Sequence, residues 1–369
     1  MVSRGRDATS PLRVALDVTS AIDPRPSGVA RYIHGLSRGL GQHPDVELTL
    51  FCRGSRWRRG DPAIEFPSSP VVRWYDWRTP RGFDLFHAPD LRIPRRPPTP
   101  LVVTVHDLSS LERTDHATPG FVEKKRLHLA RVQEHATRVL THTDVVRDGL
   151  TQRVGLSPDR VVSVPLWPAL PRTASEEVGI ERSGLLLIGG PSVRKGSERI
   201  VAFLERFDAS ARAGTLPERV RWCGSASTED AARFFQSLPR TLKERIEWLG
   251  HVDDATLDRQ LSTARAFVQL SDTEGFGIPL LESAVRRCPV IVWRSATASE
   301  VLPADAAFWI GGSDEAEQLA AFGVLKECER RVARAAERGE RATIEKTIEA
   351  TIAVYREAIK SARTSVSAG

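Results

Sequence analysis

Short apolar runs alternate with longer segments whose apolar residues recur every three or four positions along most of the chain. Residues 13–18 (RVALDV) are the first such run, of the composition of a buried parallel strand. A turn-rich loop, Pro24-Arg25-Pro26-Ser27-Gly28, follows. Val29, Ile33, Leu36 and Leu40 then fall at helical spacing and predict a helix over 29–40. Runs at 46–51, 71–74, 84–87, 101–108, 138–141 and 160–165 predict more strands. Between them, helices are expected over 119–136 and after Thr143, a residue suited to an N-cap. The alternation restarts with strands at 184–190, 220–224, 246–252, 266–270 and 289–292, and a helix from Ser197. Asp253-Asp254 reads as a further helix cap. Two amphipathic helices, over 314–338 and 342–362, close the chain, with Ile344, Ile348, Ile352 and Tyr355 on one face of the second. The tail 363–369 is expected to be disordered.

Strand-helix alternation of this kind predicts an α/β fold of parallel sheets covered on both faces. The restart divides the chain into a first domain over 1–168, a linker over 169–183, a second domain over 184–341, and a closing helix with its tail over 342–369. A length of 369 residues suits two domains.

Composition narrows the class of protein. Hydrophobic residues make up 41% and charged residues 27%, as in soluble globular chains. No apolar run approaches the roughly 20 residues of a membrane span, and the opening MVSRGRDATSPLRVALDV lacks the apolar core of a signal peptide. Cys52, Cys223, Cys288 and Cys328 stand singly, without metal spacing, and read as reduced thiols. A cytoplasmic location is therefore expected. Charge is uneven: residues 1–170 hold 25 Lys and Arg against 18 Asp and Glu. The excess lies in stretches such as 53–59 (RGSRWRR) and 92–96 (RIPRR). Either this half is solvated surface, or it faces an acidic acceptor or an anionic inner membrane face. No nucleic-acid motif accompanies it, so nucleic acid is not an expected partner.

Candidate chemistry concentrates in 267–282, FVQLSDTEGFGIPLLE. An apolar strand runs into Glu274 and the turn Gly275-Phe276-Gly277. Ile278-Pro279 open a helix, where a proline in the first turn costs no hydrogen bond. Strand, glycine turn and helix N-terminus together favour a phosphate. Glu274 and Glu282 would repel one, so they are expected to face sugar and ribose hydroxyls. A second strand–loop–helix cradle, 184–196 (GLLLIGGPSVRKG), supplies two cations, Arg194 and Lys195. The strand over 101–108 carries His106-Asp107 at its end; Asp107 either orients the imidazole or caps the turn.

Glu274-Gly275-Phe276-Gly277-Ile278-Pro279 with Glu282 resembles the E-x7-E signature of the retaining glycosyltransferases of family 4. Other steps of that family are matched by Ser27-Gly28-Val29-Ala30-Arg31-Tyr32, the His106-Asp107 pair, Trp248-Leu249-Gly250-His251-Val252, Glu300-Val301 and Val354–Ala358. The first of these, and Arg194 directly before Lys195, resemble a branch rich in mannosyltransferases. Three departures stand beside the match. Gly190 replaces a common arginine, Arg286-Arg287 replaces a Cys-Gly step, and Trp293-Arg294 replaces a short polar pair.

The resemblance implies the GT-B fold: two Rossmann-like domains facing across a cleft, with a C-terminal helix crossing back to the first. It implies transfer of a hexose from a nucleoside-diphosphate sugar, GDP-mannose-like, to an acceptor hydroxyl of a glycan, lipid or natural product. Catalytic roles are carried onto His106, Glu274, Arg194 and Lys195, and donor binding onto Gly28, Arg194, Lys195, Gly275, Phe276, Gly277, Ile278 and Glu282. The donor is a co-substrate. No separate cofactor and no metal are expected, since the cations stand in for an ion on the leaving diphosphate. Alternatives within the same fold are a partner subunit that binds nucleotide sugars without turnover, an epimerase and a phosphorylase.

Overall fold

The computed structural model describes residues 10–22, 27–54, 66, 72–75, 80–98, 100–112, 118–172, 182–211, 219–225, 228–311 and 325–367. The chain forms two compact units, Met1–Leu166 with Ile344–Gly369, and Trp167–Thr343.

In unit 1 the chain runs β1 (Leu12–Asp17), α1 (Gly28–Gln42), β2 (Val46–Arg53), β3 (Val72–Tyr75), β4 (Leu85–Ala88), β5 (Leu101–Thr104), α2 (Pro119–His135), β6 (Arg138–Thr141), α3 (Asp144–Gly149) and β7 (Val161–Ser163). The strands pair in the order β3-β2-β1-β4-β5-β6-β7, and every pair is parallel. Both faces are buried, which explains the near-continuous apolar runs. The order reverses between β1 and β4, so the loops that follow these strands diverge there. Open α/β sheets bind ligands at such a switch point.

Unit 2 repeats the plan with β8 (Ser183–Ile188), α4 (Ser197–Ala211), β9 (Val220–Cys223), α5 (Thr228–Ser237), β10 (Ile246–Gly250), α6 (Asp254–Thr263), β11 (Ala264–Gln269), α7 (Ile278–Val285), β12 (Val290–Trp293), α8 (Ala296–Val301), β13 (Phe308–Ile310) and α9 (Leu325–Glu340). Its parallel order is β10-β9-β8-β11-β12-β13, with the switch between β8 and β11. Leu185, Leu187, Trp222, Ala266, Val268 and Ile291 fill the core on one face of this sheet.

The last helix, α10 (Ile344–Ser367), returns to unit 1. Its buried face, Ile348, Ile352 and Tyr355, packs on α1, β4 and β5. Gly39 of α1 makes room for it, since a Cβ there would lie 2.6 Å from Ile348 Cγ1. The expectation of a disordered tail from residue 363 is corrected: the helix runs on through Ser367. Its final turns, AIKSARTSVS, contain neither Gly nor Pro to stop it. No helix among the described residues is long and apolar enough to cross a membrane.

Several boundaries move. The strand expected over 101–108 ends at Thr104. Val105 still donates to Leu140 O, but the chain then turns into a short helical segment at Ser109–Glu112. Part of the expected linker (173–181), the first part of the helix expected over 314–338 (to 324), Val71, Pro24-Arg25-Pro26 and the basic residues 56–59 lie outside the described residues.

Candidate active site

The loops that leave β8 and β11 meet at the switch point of unit 2. After β8, Ser192 caps a single turn over Val193–Lys195 by accepting from Lys195 N. Gly196 then takes φ +73°, where a Cβ would lie 2.2 Å from Leu270 O, so only glycine lets the loop close against the end of β11. Lys195 is thereby aimed at Glu274, with Nζ 2.6 Å from Oε1. Arg194 reaches the other oxygen, Oε2, at 3.4 Å. Glu274 is fixed from behind by Thr297 Oγ1 of α8, which donates to its carbonyl oxygen at 2.9 Å.

Two carboxylates beside a phosphate site were expected to face hydroxyls. The geometry supplies another part of the answer. Two cations share one carboxylate, which leaves the Arg194–Lys195–Glu274 group with a net charge of +1. Burial pushes the Glu274 carboxyl up, but the charges of Lys195 and Arg194 outweigh it and hold the group below the usual carboxylate range. Asp272 is likewise engaged, 2.6 Å from Arg199 of α4. Arg199 also donates to Leu270 O and lies over the Trp293 ring, 4.6 Å from its centroid. Both carboxylates of Asp272-Thr273-Glu274 are therefore held by protein cations.

From Glu274 the chain passes through Gly275 and the buried Phe276 to Gly277 at φ +82°, which begins α7 without a side-chain cap. Ile278 and Pro279 form its first turn. Glu282 lies on the buried face of α7, 1% exposed between Leu281 and Ser283. The Arg286-Arg287 departure takes shape here. Arg286 is buried against Asp258 at 2.5 Å and donates to the carbonyl oxygens of Glu282, Leu170 and Pro171. It ties the start of unit 2 to α6 and α7. Arg287 occupies the left-handed region at φ +53°.

Within unit 1, Gly28 is the first residue of α1, whose N-cap Ser27 accepts from Ala30 N. His106 follows β5. Its Nε2 lies 2.9 Å from Pro89 O, and its Nδ1 lies 3.1 Å from Nε2 of His142. Asp107 takes the turn-capping option, accepting from Ser109 N and Oγ and from Lys125 Nζ. Beside them His87 bridges Tyr355 of α10 and Thr104, at 2.7 and 2.8 Å. Unit 2 thus brings together Arg194, Lys195 and Glu274, with Glu282 on the adjoining helix; Gly28 and His106 belong to unit 1.

Sequence reasoning missed His142, Thr297 and the Arg199–Asp272 pair as parts of these sites. Strand register would have found the first. Thr104 stands opposite Leu140, an offset that continued two residues further brings His106 level with His142.

Comparison with known proteins agrees with this architecture. The family model "Glycosyltransferase Family 4" matches residues 26–167, and "Glycosyl transferases group 1" matches residues 219–341. O-antigen chain mannosyltransferase B of Escherichia coli is 25% identical over 226 residues, 59% of each chain. The serotype-specific mannosyltransferase WbdA of Escherichia coli is 23% identical over 210 residues, 51% of this chain and 25% of that protein. The chain thus spans 59% of the length of the first of these curated relatives and 25% of the second. Among solved structures, sucrose-phosphate synthase from Thermosynechococcus elongatus superposes with a TM-score of 0.68 at 15% identity, covering 94% of this chain and 98% of that one. WaaG, a glycosyltransferase involved in lipopolysaccharide biosynthesis, gives 0.67 at 14%, covering 92% and 98%. The two family matches fall on the two α/β units in turn, and the chain belongs to the GT-B glycosyltransferases of family 4.

Proposed function

We propose that the chain is a retaining hexosyltransferase that uses a GDP-mannose-like donor and an acceptor hydroxyl of a glycan, lipid or natural product. The observation that carries this reading is the Arg194–Lys195–Glu274 group at the β8/β11 switch point. A diphosphate needs cations where water is thinned out, and Arg and Lys supply charge-assisted bonds to it. As the glycosidic bond breaks, negative charge grows on the leaving diphosphate, and fixed cations stabilise it without reorganising.

In this reading Lys195 and Arg194 turn from Glu274 to the phosphates, helped by backbone N–H groups of Phe276 and Gly277. Glu274 then accepts from the sugar hydroxyls, and Glu282 from the ribose. Gly275 and Ile278 shape the turn between them. The acceptor attacks on the face the diphosphate leaves, with a phosphate oxygen as base, so configuration is retained. Both ring nitrogens of His106 have internal partners, which fits a positioning task better than that of a general base. No metal is used, because both carboxylates of the Asp272–Glu274 stretch are engaged by cations. The mannosyltransferase relatives and the Arg194-Lys195 order favour mannose. The basic first half, residues 1–170, takes the acceptor at an anionic inner membrane face, from the cytoplasmic side.

Incubation with a panel of nucleoside-diphosphate hexoses tests this, with release of nucleoside diphosphate and the anomeric configuration of the product both measured. Release from GDP-mannose with retention supports the reading. Release from none of the panel would overturn it.

A further inference from the structure

His106, two residues after β5, and His142, directly after β6, fall level when the strand register is continued, and their contact has a proton count that two ordinary imidazoles do not meet. His142 Nε2 lies 3.1 Å from His106 Nδ1. The outer nitrogens, His106 Nε2 and His142 Nδ1, lie 2.9 and 3.1 Å from the carbonyl oxygens of Pro89 and Val164. A carbonyl only accepts, so each outer contact needs an N–H, and the inner contact needs a third. Two neutral imidazoles carry two N–H groups in all. A neutral pair therefore completes two of its three hydrogen bonds, and one added proton completes all three at a shared charge of +1.

We propose that His106 and His142 bind one proton as a unit, so that His142 is a positioning residue that sets the charge and tautomer of His106. The consequence for catalysis rests on the positioning task given to His106 above. Two arrangements of the neutral pair keep the inner hydrogen bond, and these exchange. In one, His106 donates to Pro89 and receives from His142; in the other, His106 donates to His142, which donates to Val164. The ring of His106 is held in both, and its Nε2 carries a proton only in the first.

The surroundings define how the pair titrates. Tyr32 of α1 stands edge-on to both rings, its centroid 5.2 Å from His106 and 4.8 Å from His142. Burial pushes both histidines below the ordinary imidazole range, His142 to about 3. Asp90 and Asp107, from the loops after β4 and β5, favour the proton on His106, and Lys125 of α2 opposes it. His87 of β4 also disfavours it on His142, and is itself pushed down to about 3, chiefly by burial. The pair is thus neutral at pH 7 and takes up its proton on acidification.

Nitrogen-15 spectra of the histidine rings in the 369-residue chain test this across the acidic range. The expected result is one shared transition for His106 and His142 below the ordinary imidazole range, with one proton taken up between two rings and a scalar coupling across the Nε2–Nδ1 hydrogen bond. In His142→Asn, whose amide can still donate to His106 but cannot titrate, the His106 transition should move by about one pH unit or more. Two independent transitions in the wild type, or an unmoved His106 in the variant, would overturn the proposal. The wild-type spectra decide it even if the variant does not fold. In turnover assays, His142→Asn should alter the pH dependence of kcat and leave the donor KM unchanged. Absence of any glycosyl transfer would remove the task given to His106, while the ring titration would still decide the coupling.

Discussion

Lys195 Nζ stands 2.6 Å from Glu274 Oε1, a salt bridge across 79 residues of sequence that joins the two loops of the unit 2 switch point. The same lysine that neutralises the carboxylate is the one proposed to meet the donor diphosphate. Lys195→Ala therefore removes a cation from the phosphates and leaves Glu274 less compensated beside them. A charge-assisted hydrogen bond contributes roughly 1.5–3 kcal/mol, so nucleoside-diphosphate affinity should fall about 10- to 100-fold. Isothermal calorimetry with GDP and UDP measures this. Unchanged affinity would mean that the loop does not hold phosphate.

Acid stability should respond to the same pair. The Glu274 carboxyl is held below its ordinary value, so its contribution to stability is fully present above the unfolded-state value of about 4.3 and is lost as pH falls through the lower folded value. Lys195→Met removes the larger of the two cationic influences and raises that carboxyl. The acid limb of unfolding should then begin at higher pH in the variant, as read by circular dichroism. Superimposable limbs would show that the pair does not hold the carboxyl down.

Arg287 offers a stability gain. Its backbone lies in the left-handed region at φ +53°, on the exposed turn after α7. A side chain there costs roughly 1–2 kcal/mol, whereas glycine adopts it freely at this position of a helix end. Arg287→Gly should stabilise the protein by about 1 kcal/mol and raise the melting temperature by roughly 2–4 °C. A lower melting temperature would show that the Arg287 side chain makes compensating contacts.

Divalent metal should be dispensable. Turnover after EDTA treatment should match that of untreated enzyme if, as proposed, Arg194 and Lys195 compensate the leaving diphosphate. Activity that disappears with EDTA and returns with Mn²⁺ or Mg²⁺ would contradict this.

Much of the fold was legible because buried parallel strands write themselves as short apolar runs, and helix caps such as Thr143 and Asp253 use side chains suited to local hydrogen bonds. The strand–glycine turn–helix segments of unit 2 were legible too, since glycine adopts positive φ freely and proline suits a first helical turn. What stayed hidden depends on contacts remote in sequence. Nothing local couples Lys195 to Glu274, or His106 to His142; both pairings come from parallel strands set side by side. In the sequence Arg286 stood only as a departure from the family's Cys-Gly step. It is a buried staple, because Asp258 and three carbonyl oxygens surround its guanidinium.

Glu282→Ala should act through binding. A ribose contact does not change during the reaction, so its loss raises the donor KM, by about 10-fold for one hydroxyl–carboxylate pair, and leaves kcat near its original value. A kcat that falls with an unchanged KM would place Glu282 at the reacting sugar instead.

Saturation kinetics with the donor on wild type and Glu274→Ala, with circular dichroism to establish that the variant is folded, test the central assignment most directly. If Glu274 orients the sugar whose bonds change, losing about 3 kcal/mol of that orientation lowers kcat by at least about 100-fold. A Glu274→Ala enzyme that keeps its kcat and only raises the donor KM would contradict the placement of the reacting sugar at the Arg194–Lys195–Glu274 group.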